Sequence, residues 1–135
     1  MTTIRTASND VLATPGKTSN IALWTLQALV ALTFVAAGSG KLLGSRDMIA
    51  LFDAVGIGQW FRYVTGSLEV LGALLLIVPG TSAFGAALLA CVLAGAVVTH
   101  LTVLHTAPTA PLMLFALTAL IAFGRRSQLV NLLRS

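Results

Sequence analysis

Residues 21–43, IALWTLQALVALTFVAAGSGKLL, are the stretch that decides the fold. Lys41 is the only charged residue in this run, which is long enough to cross the hydrocarbon core of a bilayer as a helix of about 20 residues. A secretory signal peptide has a shorter apolar segment of about 7 to 15 residues, although Val-Ala-Ala at residues 35–37 imitates a cleavage site. We therefore predict an uncleaved first transmembrane span, with a cleaved signal peptide as the alternative.

The composition of the whole chain fits a lipid environment. Of its 135 residues, 57% are hydrophobic and 9% are charged, and the mean hydropathy is +0.95. Because a soluble domain covers its core with roughly a quarter charged residues, this composition argues against a soluble domain. The net charge is +4, but the basic residues form no continuous stripe, so we expect no nucleic-acid partner. The single cysteine, Cys91, excludes an intramolecular disulfide and is interpreted as a small hydrophobic residue.

Three further apolar segments follow the first one, and we predict spans at residues 60–78, 83–104 and 108–123. Pro79 and Gly80 form a tight turn between the second and third spans, because proline cannot continue a helix and glycine accepts turn conformations. The spans and their connections occupy residues 20–124. The fold class expected from this pattern is an all-α integral membrane four-helix bundle.

The charges outside the spans predict the orientation of the chain. Residues 1–19 are polar and form a predicted disordered leader with two basic residues, while residues 125–135 form a basic tail with three arginines. Basic residues that flank transmembrane spans concentrate on the cytoplasmic side. An even number of spans therefore places both the leader and the tail in the cytoplasm.

Between the first and second spans, the hydrophobic periodicity changes to that of a short amphipathic helix. Apolar residues recur at positions i, i+3, i+4 and i+7, as Met48, Leu51, Phe52 and Val55. This pattern is typical of a helix that lies along a membrane surface, and an ordinary surface loop is the alternative. Ser45 is the predicted N-cap of this interfacial helix, and Gly56 is placed to end it.

The start of the second span carries two amphipathic aromatic residues. Trp60 and Tyr63 bracket Arg62 at the point where the chain enters the apolar phase again. Aromatic rings with a polar edge settle at membrane interfaces, and long cationic side chains extend from there toward the headgroups. We therefore predict that Trp60 and Tyr63 are interfacial anchors and that Arg62 snorkels.

Four ionisable residues in or beside the spans form the candidate site. Glu69 lies about two turns inside the second span, where an unpaired carboxylate costs several kcal/mol. Antiparallel helices bring Lys41, Arg62 and His100 to a similar depth. Lys41, Arg62, Glu69 and His100 are therefore the candidates for a ligand or proton site. The alternative is a structural ion pair of Lys41 with Glu69 that sets helix register, with His100 hydrogen-bonded nearby.

Other common site chemistries have no support in the sequence. His100 and His105 are five residues apart, so on one helix they point away from each other and cannot jointly hold a haem or a zinc ion. We expect no metal site. There is also no Ser-His-Asp set and no glycine-rich phosphate loop to suggest hydrolysis or phosphoryl transfer.

Glycines recur in the predicted spans. In lipid, where no hydrophobic drive favours helix association, small residues let helix backbones approach closely. The candidates for such packing are Gly38, Gly40, Gly66, Gly72, Gly85 and Gly95.

Three segments of the chain carry a family resemblance. They are Ala-Gly-Ser-Gly-Lys-Leu at residues 37–42, the amphipathic stretch at residues 48–56, and Arg-Tyr-Val-Thr-Gly-Ser-Leu-Glu-Val-Leu-Gly-Ala at residues 62–73. In these segments the chain resembles the bacterial DoxX family of small four-helix membrane proteins. The resemblance extends from about residue 23 to residue 123. It implies a bacterial inner-membrane protein linked to oxidoreductase systems, since members include a subunit of a thiosulfate:quinone oxidoreductase. Another member belongs to a mycobacterial complex that links a superoxide dismutase to a thiosulfate sulfurtransferase.

The leading functional hypothesis is a DoxX-like accessory or assembly subunit of a redox or sulfur-stress system, not catalytic on its own. Its expected partners are the lipid bilayer and either other proteins of a membrane redox complex or further copies of the chain. No cofactor is expected in the chain alone, and a quinone head group is the candidate ligand. The alternatives are a quinone-linked oxidoreductase that uses Glu69 and His100 for proton transfer, and a transporter of protons or small solutes.

Overall fold

The structure is a computed structural model that describes residues 15–135 of the chain. These residues form six α-helices and no β-strand. In chain order the helices are α1 (Lys17–Leu43), α2 (Arg46–Val55), α3 (Gln59–Ile77), α4 (Ser82–Thr102), α5 (Thr109–Gly124) and α6 (Arg126–Arg134). The described part of the chain is therefore all-α, as the sequence predicts.

The long helices follow the apolar segments of the sequence closely. Helices α3, α4 and α5 begin and end within two residues of the segments at 60–78, 83–104 and 108–123. Helix α1 ends at Leu43 but begins at Lys17, because no helix breaker stands between Gly16 and the apolar run. Residues 17–19, predicted as disordered leader, are therefore helical, while residues 1–14 of that leader lie outside the described residues.

Glycines with positive φ separate α2 from its neighbours. Gly44 (φ 72°) ends α1, and its N–H donates to the carbonyls of Gly40 and Lys41. Gly56 (φ 80°) ends α2, as predicted. Ser45 is the N-cap residue of α2, as predicted, although its side chain makes no capping hydrogen bond. The Ser45 N–H instead completes the turn after α1 by donating to the Gly40 carbonyl at 3.0 Å.

The long helices pack in a closed cycle. Helix α1 packs mainly against α3, α3 against α4, and α4 against α5, while α5 returns to α1 through fewer contacts. The short helix α2 lies against α3, and α6 lies against α4. The core lies among the four long helices and includes Phe34, Leu76, Leu89 and Ile121.

Two pairs of glycines set the closest helix contacts. A Cβ atom on Gly38 would lie 2.8 Å from the Gly66 carbonyl oxygen, so α1 and α3 touch through their backbones. A Cβ atom on Gly85 would lie 2.7 Å from the Gly72 carbonyl oxygen, which places α3 and α4 in similar contact. The prediction for these four glycines is confirmed. Of the other two, Gly40 has only a loose neighbour and Gly95 has none within 4 Å, because neither faces a helix.

The outward surface of the long helices is apolar. Leu32, Met113 and Leu120 are 69%, 64% and 54% exposed. Helices α1, α3 and α4 are each long and apolar enough to cross a membrane, and α5 meets these criteria only together with α6, from which it is bent by 53°. Three or four helices capable of spanning, with leucine and methionine facing outward, indicate a membrane protein.

Candidate functional site

An ion pair joins α1 and α3 near α2. The Lys41 ammonium lies 2.9 Å from Glu69 Oε2. Both side chains are largely buried, with 14% of Lys41 and 8% of Glu69 exposed. The close contact at Gly38 and Gly66 holds the two helices together beside this pair. The structure thus gives the buried carboxylate the counter-charge that its position in the span demands.

Arg62 lies beside the ion pair without bonding to the carboxylate. Its Nη1 donates a hydrogen bond to the carbonyl oxygen of Lys41, and its Nε donates to Gln59 Oε1 at 2.7 Å. The guanidinium also lies over the ring of Tyr63, 4.4 Å from the centroid. Only 4% of Arg62 is exposed, so the prediction of a snorkelling side chain is wrong. The carbonyl groups at the negative end of the α1 helix dipole, that of Lys41 among them, attract this cation inward instead.

A cavity of about 630 Å³ lies next to the ion pair. Lys41 and Glu69 both line it, and most of the other lining side chains are apolar. Phe34 and Leu93, which belong to the buried core, form part of its wall, and α2 contributes Phe52. This part of the molecule comprises α2, the ion pair and the cavity. We call it the cavity end.

His100 lines the same cavity from α4. Its Nδ1 is hydrogen-bonded to the hydroxyl of Thr106 at 2.8 Å, which fixes the ring through the connection between α4 and α5. The hydroxyls of Thr65 and Thr99 also lie on the cavity wall and donate to helix carbonyls, those of Phe61 and Gly95. In the predicted cluster, Lys41 and Glu69 are therefore bonded to each other. The His100 imidazole lines the same cavity but is held separately, by Thr106.

This arrangement suits a lipophilic molecule with a polar head. Ligand cavities of about 300 to 1,000 Å³ are mostly apolar and carry a few polar groups that fix orientation. Here the Lys41 ammonium can donate hydrogen bonds, the Glu69 carboxylate can accept them, and the His100 imidazole can do either. Carboxylate and imidazole groups on one cavity can also exchange protons with a bound molecule.

A second polar network, missed from the sequence, lies at the opposite end of the long helices. Gln27, fully buried in α1, donates from Nε2 to the Leu76 carbonyl (2.6 Å) and to Ser82 Oγ (3.0 Å). Its Oε1 accepts a hydrogen bond from Arg125 Nε at 2.8 Å, and Arg125 Nη1 donates to Asn20 Oδ1 at 2.7 Å. We call this part the network end. One amide side chain here ties α1 to the ends of α3 and α5 and to the start of α4.

The signal that would have found this network is the position of Gln27. It is an uncharged amide in the middle of an apolar run, and any polar group in a span must find hydrogen-bond partners. The sequence does not identify those partners. The charge pattern of the sequence indicates only that Arg125 follows the last span, and its contact with Gln27 crosses 98 positions of the chain.

The predicted interfacial anchors are both on the surface at the cavity end. Trp60 and Tyr63 are 59% and 49% exposed. Trp60 Nε1 donates to the Ile57 carbonyl at 3.0 Å, so the indole edge is satisfied while its ring faces outward. These positions agree with an anchoring role, which stays a prediction.

Metal-binding groups are sparse in the described residues. Between residues 15 and 135, no group of three or more His, Cys, Asp and Glu side chains is placed to hold a metal ion. Cys91 is an exposed free cysteine whose side chain also lines the cavity.

Comparison with known proteins identifies the family. No curated protein and no solved structure matches the chain. The model of the DoxX-like family matches residues 25–123, which include α3, α4, most of α1 and both residues of the ion pair. A match over most of the chain, with the helices and the Lys41–Glu69 pair inside it, shows that this protein belongs to the DoxX-like family.

Proposed function

We propose that this protein is a membrane accessory subunit that binds a lipophilic molecule with a polar head, of the quinone type, in the cavity. One observation carries the proposal: an apolar cavity of about 630 Å³ has the Lys41–Glu69 pair and His100 on its wall. A quinone has an apolar ring and tail and two carbonyl oxygens that accept hydrogen bonds. The ammonium and the imidazole can donate to such carbonyls.

We also propose an arrangement in the bacterial inner membrane. In this arrangement α1, α3, α4 and α5 form a four-span bundle, α2 lies at the interface, and α6 belongs to the basic tail. Leu51, Phe52 and Val55 of α2 face the cavity, while Trp60 and Tyr63 mark the same interface from α3. The basic residues at the network end then place both termini in the cytoplasm.

Ligand binding is tested with the purified full chain and a short-chain ubiquinone. The variant Ala96→Leu fills the cavity, because Ala96 lines it, and it is expected to weaken quinone binding at least about tenfold. The matched control is Ala94→Leu, an exposed position on the same helix, which leaves binding unchanged. Equal quinone affinities in the wild type and both variants would contradict binding in this cavity.

A second variant tests the contribution of the polar side chains to quinone binding without changing the volume of the cavity. Glu69→Gln keeps the size of the side chain but removes the charge that holds Lys41 in place. The quinone affinity is expected to change while the cavity volume does not. A variant that binds quinone like the wild type would show that the ion pair does not orient the ligand.

The accessory role is tested by isolating the protein in mild detergent from its own membranes. Partner proteins of a redox complex, or a defined homo-oligomer, are the expected result. A lone monomer under every mild condition would count against an assembly role.

A quinone-linked oxidoreductase subunit is the second candidate. The observation in its favour is that Glu69 and His100, two groups able to move protons, line one cavity. This function requires electrons from a partner, so it predicts that Glu69→Gln lowers quinone turnover in membranes without lowering expression. No observation of this kind favours transport.

A further inference from the structure

Helix α2 covers one side of the cavity. Its residues Leu51, Phe52 and Val55 line the cavity wall, and Phe52 is only 6% exposed. The Phe52 ring packs edge-on against Phe61 of α3, with 5.9 Å between the ring centroids. The opposite face of α2, which includes Asp53, is exposed. Because α2 lies between the cavity and the surface of the protein, any movement of this helix changes access to the cavity.

Both ends of α2 are joined to the bundle through glycines in the left-handed region of backbone conformation. Gly44 (φ 72°) precedes α2, while Gly56 (φ 80°) and Gly58 (φ 113°) follow it. Glycine adopts such angles without steric cost, and a few residues at the ends of an element can absorb the rotation of the segment between them. The two connections therefore allow α2 to move as a unit relative to α1 and α3.

One side chain of α3 holds α2 in place. Gln59 Nε2 donates to the Ile49 carbonyl at 3.0 Å and to Asp53 Oδ1 at 2.7 Å. Gln59 Oε1 accepts a hydrogen bond from Arg62 Nε, so the amide is itself fixed from α3. The two bonds to α2 are exposed, and water competes for such bonds, so they can break and form again. We call Gln59, Ile49 and Asp53 the Gln59 clasp.

We propose that α2 is a gate of the cavity and that the Gln59 clasp keeps it shut. When the clasp opens, the apolar face of α2 moves away from the cavity, and a molecule can pass from the membrane interface to the Lys41–Glu69 pair. The gate is a feature of the fold, whereas its use in quinone binding rests on the function proposed above. A ligand-free measurement and a quinone measurement therefore test the two separately.

The gate is tested without a ligand through Cys91, the only cysteine of the chain, which lines the cavity. Cys91 stands midway along α4, so a permanently charged methanethiosulfonate reagent reaches its thiol through the cavity and not through lipid. Asp53→Ala removes one bond of the clasp, and we expect the full chain in phosphatidylcholine bilayer discs to react about fivefold faster. The matched control Asp53→Asn keeps the acceptor oxygen and is expected to react at the rate of the wild type.

The direction of this effect separates the clasp from the stability of α2 itself. Asp53 lies in the last turn of α2, where a carboxylate opposes the helix dipole, and alanine favours a helix more than aspartate does. Asp53→Ala therefore stabilises α2 as a helix while it weakens the clasp. A neutral maleimide that dissolves in the bilayer reaches the exposed Cys91 from the lipid and is expected to react equally with wild type and variant.

Two results with Cys91 would overturn the gate. One is a reaction rate with the charged reagent that is unchanged or lower in Asp53→Ala. The other is an equal rise with the neutral maleimide, which would show that the variant is loosened throughout.

The use of the gate in quinone binding is tested by the binding rates of the short-chain ubiquinone. A gate lies on the path in and on the path out, so Asp53→Ala is expected to raise the association and dissociation rates by a similar factor, about fivefold, and to leave the affinity unchanged. A rise in the dissociation rate alone would overturn this use, because it would show that α2 is a fixed part of the binding wall.

A covalent clasp gives the opposite change. In the chain with Cys91→Ser, Asp53→Cys and Gln59→Cys are bridged by a bifunctional methanethiosulfonate. Both quinone rates are expected to fall at least about tenfold and to recover when the bridge is reduced. Unchanged rates in the bridged protein would overturn entry past α2. If the wild type binds no quinone while the Cys91 rates follow the expectation, the gate stands and the proposed function fails.

Discussion

The two ends of this molecule both bury polar groups between apolar helices, but they use them differently. At the network end, Gln27 and Ser82 are fully buried, and they bond to each other and to backbone carbonyls. At the cavity end, Lys41 and Glu69 bond to each other and also line a cavity of about 630 Å³. The first arrangement fills its space with protein, whereas the second leaves space for another molecule.

This difference teaches how to separate a structural polar group from a functional one in a membrane bundle. A polar side chain whose partners all come from the protein, and which touches no cavity, holds helices together. A polar side chain that is paired and also reaches a cavity can replace one of its hydrogen bonds to the protein by a hydrogen bond to a ligand. By this criterion Gln27 is structural and Glu69 is the candidate functional group.

The largest effect is expected for Gln27→Leu. The change removes three hydrogen bonds and leaves Arg125 Nε and Ser82 with one partner fewer in a buried position. We expect the free energy of unfolding to fall by about 3 kcal/mol, measured by denaturant unfolding in detergent micelles.

The control for Gln27→Leu is Thr25→Val on the same helix. Thr25 is exposed and bonds only back to the Ile21 carbonyl, so its replacement is expected to cost less than about 0.5 kcal/mol. Equal stabilities of the two variants would mean that the network end is not held by Gln27.

A somewhat smaller effect is expected for Gly85→Ala, which acts through packing. The new methyl group would lie 2.7 Å from the Gly72 carbonyl oxygen and 2.8 Å from the Leu76 nitrogen, both backbone atoms that cannot move freely. We expect a loss of about 2 kcal/mol in the free energy of unfolding. Gly95→Ala on the same helix meets nothing within 4 Å and is expected to be neutral or slightly stabilising. If both variants lost a similar free energy of unfolding, the two ends of α4 would not differ in how tightly they pack.

The smallest effect on stability is expected for Glu69→Gln. Breaking a fully buried ion pair costs about 3 to 5 kcal/mol, but this pair lines a cavity, and 14% of Lys41 and 8% of Glu69 remain exposed. We therefore expect a loss of about 1 kcal/mol. A double-mutant cycle with Lys41→Met isolates the energy of the pair, using the same unfolding measurement. If Glu69→Gln lowers the free energy of unfolding as much as Gln27→Leu does, the ion pair at the cavity end serves mainly to hold helices together, as Gln27 does at the network end.

Much of the fold could be predicted from the sequence because its signals are local. The apolar runs and the turn at Pro79 and Gly80 give α3, α4 and α5 to within two residues. Gly56 ends α2 as its position indicates. The sequence does not give the start of α1 at Lys17, because polar residues after Gly16 are compatible with both a helix and a leader. Polarity alone does not distinguish these states.

The site could be predicted only in part because its contacts join distant positions. The pairing of Lys41 with Glu69 follows from depth in the bundle, since two opposite charges at one level in lipid must meet. The inward turn of Arg62 depends on the position of the α1 terminus, and the partners of Gln27 depend on the way three helix ends meet. Neither is encoded in the periodicity of a single helix.

The positions of Phe34 and Leu93 limit how deeply a molecule can enter the cavity. Both residues belong to the core and also line the cavity, so they form a floor about midway along the helices. In the arrangement proposed above, a molecule bound in the cavity would lie at the depth of one leaflet only. It would then enter and leave past α2, which is joined to its neighbours by Gly44 and Gly56. On this proposal the cavity is open to one side of the bilayer and does not connect its two faces.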